Sequence, residues 1–485
     1  MAFTDRLANR GSVSTGFSID YSCAFDKGTS ARMTKDCASA VVAEQKTFTF
    51  SCWVKRMQIG SNADVGDSYI LECGETDSNN GRSFFRFRDD QFFFAGGGAY
   101  WFRTRRLFRD NSGWYHIVVA VDTTDGTAGN RHRLYVNGVE ETDFETEASV
   151  DQNHQHGFSR DEKHTVGGSH IDSDYETDLK IAEFHMVGGS QLAPTDFGEF
   201  DSDSGIWKPI EYTGSHGTNG FYLDFADSSN MGNDASGGLD FTETNLDLKE
   251  QTLDTPTNSF CVWSQTGKNM YDTGTQTIDR YNSRIYDNTS WSTTIGTHPF
   301  VKGKWYWEIE TGGAGYVAFG IISVDKIHLL YENTYAEAVA YRSWDGGAYA
   351  RDGNPSVSSS IGSTASGALF RLFVDMDNNK FTVIRNTTTL IDELNVGGCS
   401  ENDRLSVPFI RTYAVNSANN GHGMQTNFGG GCLFAADTKV GQYYNSSDSS
   451  SPYTDDNGYG EFDYSPNANS KSYYALCTKN IAEFG

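Results

Sequence analysis

The chain has no apolar run long enough to cross a bilayer as a helix, which excludes a helical membrane span. Its first residues, Met1-Ala2-Phe3-Thr4-Asp5-Arg6, lack the apolar centre of an export signal, so synthesis in a reducing cytoplasm is expected. The eight cysteines contain no C-x-x-C pair, which leaves zinc ribbons and thioredoxin chemistry without support and predicts mostly buried, free thiols. Basic residues are too few, 38 against 64 acidic ones for a net charge of −26, and a nucleic-acid partner needs the opposite balance. There is no heptad pattern, tandem repeat or Gly-X-Y run, one of which a long trimeric shaft usually requires. Helical periodicity is missing too, apart from a short turn near Pro194-Thr195-Asp196-Phe197.

Glycine (51) and the aromatics (32 Phe, 25 Tyr, 9 Trp) are abundant, and aromatic strands with glycine-rich turns describe an all-β protein. At 485 residues the chain is long enough for two or three domains. Ile117 to Val121 is apolar on both faces, which predicts a strand buried within a sandwich. Asn137-Gly138 then tolerates the positive φ angles of a type I′ hairpin turn. Phe48, Phe50, Cys52 and Val54 alternate with Thr49, Ser51 and Trp53 as a strand does. Phe84 to Phe94 carries aromatic and arginine residues in near alternation, with Asp89-Asp90 as a turn. Farther on, Trp305, Trp307 and Ile309 share one strand face, and Val317, Phe319 and Ile321 share another. Phe370 to Met376 and Phe381 to Ile384 form a hairpin, and Pro408 places Val407 to Ile410 at an edge or a strand start. The predicted domains are residues 1–197, a connecting strap at 198–258, a second sandwich at 259–435 and a C-terminal extension at 436–485.

Several of these segments resemble known families. Phe48 to Arg56, Trp114 to Asp122, Leu134 to Val139, Val166-Gly167-Gly168 and Ile181 to Phe197 resemble a LamG/concanavalin-like jelly roll. Gly303 to Glu308, Tyr316 to Ile321, Phe370 to Arg385, Val407 to Ile410 and Thr426 to Gly429 resemble a SPRY sandwich, although Gly367-Ala368-Leu369 replaces the usual Gly-Asp-x-x-Gly. The fold implied is two tandem antiparallel β-sandwiches joined by an ordered strap. Their order, with GTNGFYLDF (217–225), DTPTNSF (254–260) and the closing YYALCTKNIAEFG (473–485), resembles structural proteins of tailed, particularly marine, bacteriophages. That resemblance implies a non-enzymatic virion component, on tail fibre or head surface, adhesive to host glycans. Its partners would be other virion proteins and further copies of itself. An architectural decoration or connector protein is the alternative.

Five groups of residues are candidates for chemistry or binding. Glu141-Thr142-Asp143-Phe144-Glu145 has the E-x-D-x-E spacing of jelly-roll glucanases, and a hydrolase reading makes Glu141 and Glu145 its carboxyl pair, which retaining chemistry needs about 5 Å apart. The flanking Glu140 and Glu147 instead describe a solvated acidic segment. Arg82, Arg86, Arg88, Arg103, Arg105, Arg106 and Arg109 are concentrated in an acidic chain. They read as internal partners of Asp89, Asp90 and Asp110, or as contacts to an acidic or sulfated glycan or a neighbouring subunit. Tyr100 and Trp101 follow Gly96-Gly97-Gly98 and offer either a sugar-stacking platform or core aromatics. Asp224, Asp227, Asn230 and Asp234 form a carboxylate-rich loop that reads either as metal-free Asp turns or as a calcium site. His154, His156, His164 and His170 cluster loosely without metal-ligand spacing, and His116 reads as a packed histidine.

Overall fold

The computed structural model of the chain describes residues 16–37, 39–60, 67–74, 82–96, 98–171, 177–268, 276–279, 281–287, 291–311, 316–330, 336–343, 347–352, 355–358, 367–396, 399, 404–413, 423–430, 452–467 and 471–485. Val13–Thr257 and Asn258–Gly485 form separate compact units. Each unit is a pair of β-sheets closed on a hydrophobic core, so the all-β, tandem-sandwich expectation holds.

In the first unit one sheet runs Val139–Glu140, His132–Val136, Tyr115–Asp122, Thr47–Arg56, Leu179–Gly188, Ser22–Phe25 and Gln251–Thr252, with Phe221–Leu223 also paired to Leu179–Gly188. The facing sheet runs Phe144–Glu147, Ala99–Thr104, Gln91–Gly96, Ser83–Arg88, Ser68–Cys73, Lys163–Val166, Arg32–Asp36 and Thr242–Thr244. The period of two along Thr47–Arg56 sends Phe48, Phe50, Cys52 and Val54 into the core, against Phe85, Phe87, Phe92 and Phe94 of the facing sheet. Phe85 is the hub: it stacks on Phe50 at 4.4 Å and on Phe158 at 5.0 Å, and also meets Phe92 and Phe94. Asn137 (φ 49°) and Gly138 (φ 77°), like Asp89 (52°) and Asp90 (61°), adopt the left-handed turn conformation that their hairpins require.

The outer face of the first sheet is buried as well. Val118 packs with Val187 and Phe197, and Trp53 with Ile19, Ala182 and Trp207. This explains why Ile117 to Val121 is apolar on both sides. His116 stacks between Trp53 (4.7 Å) and Trp207 (5.9 Å), and burial lowers its pKa to about 3, so it stays neutral. The predicted strap, 198–258, belongs to this unit up to Thr257: it adds Phe221–Leu223 and Gln251–Thr252 to one sheet and Thr242–Thr244 to the other. Its end meets the start of the unit, where the Ile19 N–H donates to Thr257 Oγ1 at 3.1 Å and that hydroxyl donates back to the Ile19 carbonyl at 2.9 Å.

One ionic cluster lies under the same cover. Lys55 and Lys180 are direct cross-strand partners, an arrangement that like charges disfavour. Asp254 resolves it: its carboxylate accepts from Lys55 Nζ at 2.8 and 3.0 Å and from Lys180 Nζ at 2.8 Å, with Trp114 Nε1 at 3.3 Å. Burial alone would raise the Asp254 pKa, but Lys180 and Lys55 together hold it far below the usual carboxylate range.

In the second unit one sheet runs Gln276–Asp279, Arg284–Asp287, Met424–Asn427, Lys304–Thr311, Ala368–Asp375, Lys380–Arg385 and Thr388–Asn395, with Tyr474–Ala475 pairing in parallel with Lys304–Thr311. The other runs Ser292–Ile295, Ser406–Tyr413, Tyr316–Ser323, Ala336–Arg342, Gly347–Asp352 and Pro355–Ser358. Trp305, Trp307 and Ile309 meet Phe319, Ile321, Phe370 and Leu372 in the core. The Pro408 strand is not an edge: Ser406–Tyr413 has neighbours on both sides. Regular pairing with Ser292–Ile295 begins only at Phe409, so the missing Pro408 N–H costs no ladder bond there. Helix is confined among the described residues to short pieces such as Val42–Lys46, Pro194–Asp196 and Thr478–Phe484.

A second buried polar cluster fastens the C-terminal segment. Glu308 accepts from the Tyr306 hydroxyl (2.7 Å) and from the backbone N–H groups of Asp463 (3.0 Å) and Tyr464 (2.9 Å). Burial pushes the Glu308 carboxyl up to about 7, against those hydrogen bonds and Arg371. The Asp463 carboxyl is likewise pushed well up, by burial and then by Glu308 and Glu310, and its Oδ2 has no partner. The seven described cysteines are buried and form no disulfide.

Candidate functional site

The facing sheet of the first unit turns its inner residues to the core and presents a patterned outer face. Register places Arg103, Phe93, Arg86 and Tyr69 side by side across four strands. The neighbouring row is Tyr100, Ala95, Phe84, Glu72 and Thr165. The alternation Phe84, Arg86, Arg88 on one strand and Gln91, Phe93, Ala95 on the next builds this surface directly from sequence.

Cations and rings are layered here. The Arg86 guanidinium lies 4.7 Å from the Phe84 centroid, 5.3 Å from Tyr69 and 5.5 Å from Phe93, while Arg103 covers Phe93 at 5.1 Å. Tyr100 stands edge-on to Phe93 at 5.7 Å and is 44% exposed. Every one of these arginines also meets a carboxylate. Arg82 pairs with Glu72, Arg86 with Asp67 at 2.5 Å, and Arg88 with Asp67. Arg103 reaches Glu145 at 3.0 Å and Asp89 at 3.8 Å, and its Nε donates to Gln91 at 2.8 Å. The Tyr69 hydroxyl accepts from Arg82 (3.1 Å) and Arg86 (2.7 Å), and burial pushes its pKa up, so it keeps its proton. Arg86 Nε is buried without an acceptor.

Of the residues singled out from sequence, Arg86, Arg88, Tyr100 and Arg103 share this face. Trp101 does not. A bulge between Phe94 and Ala95 turns it inward, where it packs against His132, His154 and His156. Arg105 lies off the face, exposed and paired with Asp143 at 3.3 Å. Asp67, Tyr69, Glu72, Phe84 and Phe93 were not singled out. Phe84 and Phe93 were legible from the alternation; Asp67 and Glu72 were not, because only strand register brings them there.

The acidic run does not form the one-faced strand that glucanase spacing requires. Glu141 and Asp143 precede the strand, which begins at Phe144, and a bulge lies between Phe144 and Thr146. Each carboxylate is held by a different arginine: Glu141 by Arg106 at 2.5 Å, Asp143 by Arg105, and Glu145 by Arg103. Two features that looked separate in the sequence are thus partners. Arg109 takes Asp90 at 2.7 Å.

The candidate calcium loop reads as separate Asp turns. Asp224 accepts from the Ala226 N–H (3.0 Å), and Asp227 from the Ser229 N–H (2.9 Å) and hydroxyl (2.6 Å). Asn230 donates to Asp240 at 3.0 Å. Asp234 is buried against Lys35 at 3.0 Å and the Tyr222 N–H at 3.0 Å. Each carboxylate closes its own turn, and among the described residues no group of three His, Cys, Asp or Glu side chains is arranged for a metal ion. The histidines divide too. His156 shares a 2.9 Å N···N contact with His132, His164 lies against Cys37 at 3.5 Å, and His170 sits beside Glu72 at 3.4 Å.

The family model described as the concanavalin A-like lectin/glucanases superfamily matches residues 27–189, so the first sandwich is a concanavalin A-like jelly roll. No curated protein matches the chain. Among solved structures the chain is similar to a putative carbohydrate binding protein from Bacteroides ovatus, at 15% identity over 47% of this chain and 59% of that one (TM-score 0.32). It is also similar to the SPRY domain of human HERC1, at 12% identity over 34% of this chain and 94% of that one (TM-score 0.27). A pentraxin from Limulus polyphemus aligns at 13% identity over 36% of this chain and 78% of that one (TM-score 0.26).

Proposed function

We propose that the first sandwich binds saccharide on the outer face of its second sheet, around Tyr100, and that it performs no bond-making or bond-breaking. The observation that carries this reading is an exposed aromatic ring, Tyr100, edge-on to Phe93, whose face is covered by Arg103, itself held by Glu145, Gln91 and Asp89. Such side chains meet sugar hydroxyls in fixed geometry, and the ring offers its apolar face to a pyranose. Because these groups are already held by one another, binding costs little ordering.

The setting we propose is the surface of a tailed-bacteriophage virion, on tail fibre or head, with other virion proteins and further copies of this chain as neighbours and host-surface glycans as ligand. Support comes from the two sandwiches in sequence order and the linking segments quoted above. Weak single sites gain from display in many copies. A glycan array with the full chain and its Tyr100→Ala variant tests the binding: retention on at least one saccharide class, lost in the variant, is expected. Immuno-electron microscopy on particles tests the setting, and a chain buried wholly between other virion proteins would favour the connector reading.

A further inference from the structure

Resting on the saccharide reading above, we infer that the ligand of this face is an uncharged pyranoside, and that uronic, sialylated and sulfated sugars are excluded. Arginine density alone suggests the reverse. The pairing overrules it. Asp67 takes both Arg86 and Arg88, Glu72 takes Arg82, and Arg103 is shared between Glu145 and Asp89. Among the described residues four guanidinium groups therefore face four carboxylates, and these groups together carry no net charge.

The charges that water reaches are balanced in the same way. Asp89 and Glu145 are 44% and 39% exposed at the side chain, against 38% for Arg88 and 29% for Arg103. An anionic sugar would have to displace a carboxylate already in contact, or sit beside one, and either costs more than it returns. A hydroxyl is both donor and acceptor, so it can donate to Asp89 or Glu145 and accept from an arginine without disturbing the pairs. The vacant Arg86 Nε, beneath the rings, needs only a neutral oxygen or a water to satisfy it. The chain's net charge of −26 also repels polyanions at long range.

The test is a titration of the full chain with matched sugars: methyl glucoside, galactoside and mannoside and N-acetylglucosamine, against glucuronate, sialic acid and heparin fragments. Each runs at low and high salt, with Tyr100→Ala and Glu145→Gln alongside. Neutral sugars should bind with affinity changing less than about twofold between 50 and 500 mM salt, because no ion pair forms. Tyr100→Ala, at an exposed position, should fold normally and lose at least about tenfold. Glu145→Gln should gain affinity for the acidic sugars by unmasking Arg103. Tighter binding of the acidic set by the native chain, falling steeply with salt, overturns the inference while leaving the saccharide reading intact. No binding of either set at millimolar sugar removes the saccharide reading itself, and this inference with it.

Discussion

Replacing Asp254 with asparagine keeps the shape of the side chain and deletes its charge. The native cluster holds two ammonium groups and one carboxylate, all buried, with bonds of 2.8–3.0 Å. After Asp254→Asn, two buried cations face each other across adjacent strands with a neutral amide in place of the carboxylate between them. Removing one partner of a buried pair costs about 3–5 kcal/mol, and the doubled cation places this case at the upper end. For a unit of this size that is a fall of roughly 6–20 °C in Tm. Charge arithmetic adds a sharper contrast. Lys55→Met leaves a one-to-one pair of Lys180 and Asp254, so it should cost about 1 kcal/mol or less, and adding it to Asp254→Asn should recover only the part of the loss that comes from the second cation. Scanning calorimetry on the full chain reads all three variants. An Asp254→Asn loss below about 1 kcal/mol, or a Lys55→Met loss equal to it, would refute the reasoning. Because the Asp254 pKa is depressed in the fold, its contribution is present above the unfolded pKa near 4 and is lost as pH falls below it.

Phe85→Ala removes the ring on which four other phenylalanines converge and should cost about 3–5 kcal/mol in urea unfolding with the slope unchanged; a loss under 1 kcal/mol would mean the core recloses. The buried Glu308 and Asp463 carboxyls have raised pKa values, so their contribution is fully present below the unfolded pKa near 4 and is lost as pH rises towards about 7 for Glu308. Hydrogen exchange in residues 461–464 should therefore be slower at pH 5 than at pH 8 after correction for intrinsic rates, and Glu308→Gln with Asp463→Asn should flatten the difference; equal protection at both pH values would contradict it. Incubation with β-glucans should release no reducing ends, since Glu141 and Glu145 are each committed to an arginine, and measurable hydrolysis abolished by Glu145→Gln would reverse that conclusion.

Local patterns were readable because they depend on nearest neighbours. Phe48, Phe50, Cys52 and Val54 announced their strand by alternation, and Asn137-Gly138 and Asp89-Asp90 announced their turns by tolerance of positive φ. What stayed hidden depends on contacts distant in sequence. Asp254 lies far along the chain from Lys55 and Lys180, and its DTPTN setting reads only as a turn. The strap is polar in composition, which concealed that Trp207 covers the first sheet. The candidate site was half legible. Alternation placed Arg86, Arg88 and Phe93 together, but the carboxylates that neutralise the arginines arrive from other strands and loops, so charge counted along the chain does not identify these partners. A single bulge sent Trp101 inward, and no rule of alternation foresees a bulge.

The meeting of Ile19 with Thr257 makes the first sandwich a cassette. Its two ends emerge side by side, so it can be lifted out, spliced into a surface loop of another scaffold, or closed by a short linker and reopened at the Asn137-Gly138 hairpin as a circular permutant. Exchange of this one block, entering and leaving through a single doorway, would require no rebuilding of whatever lies on either side.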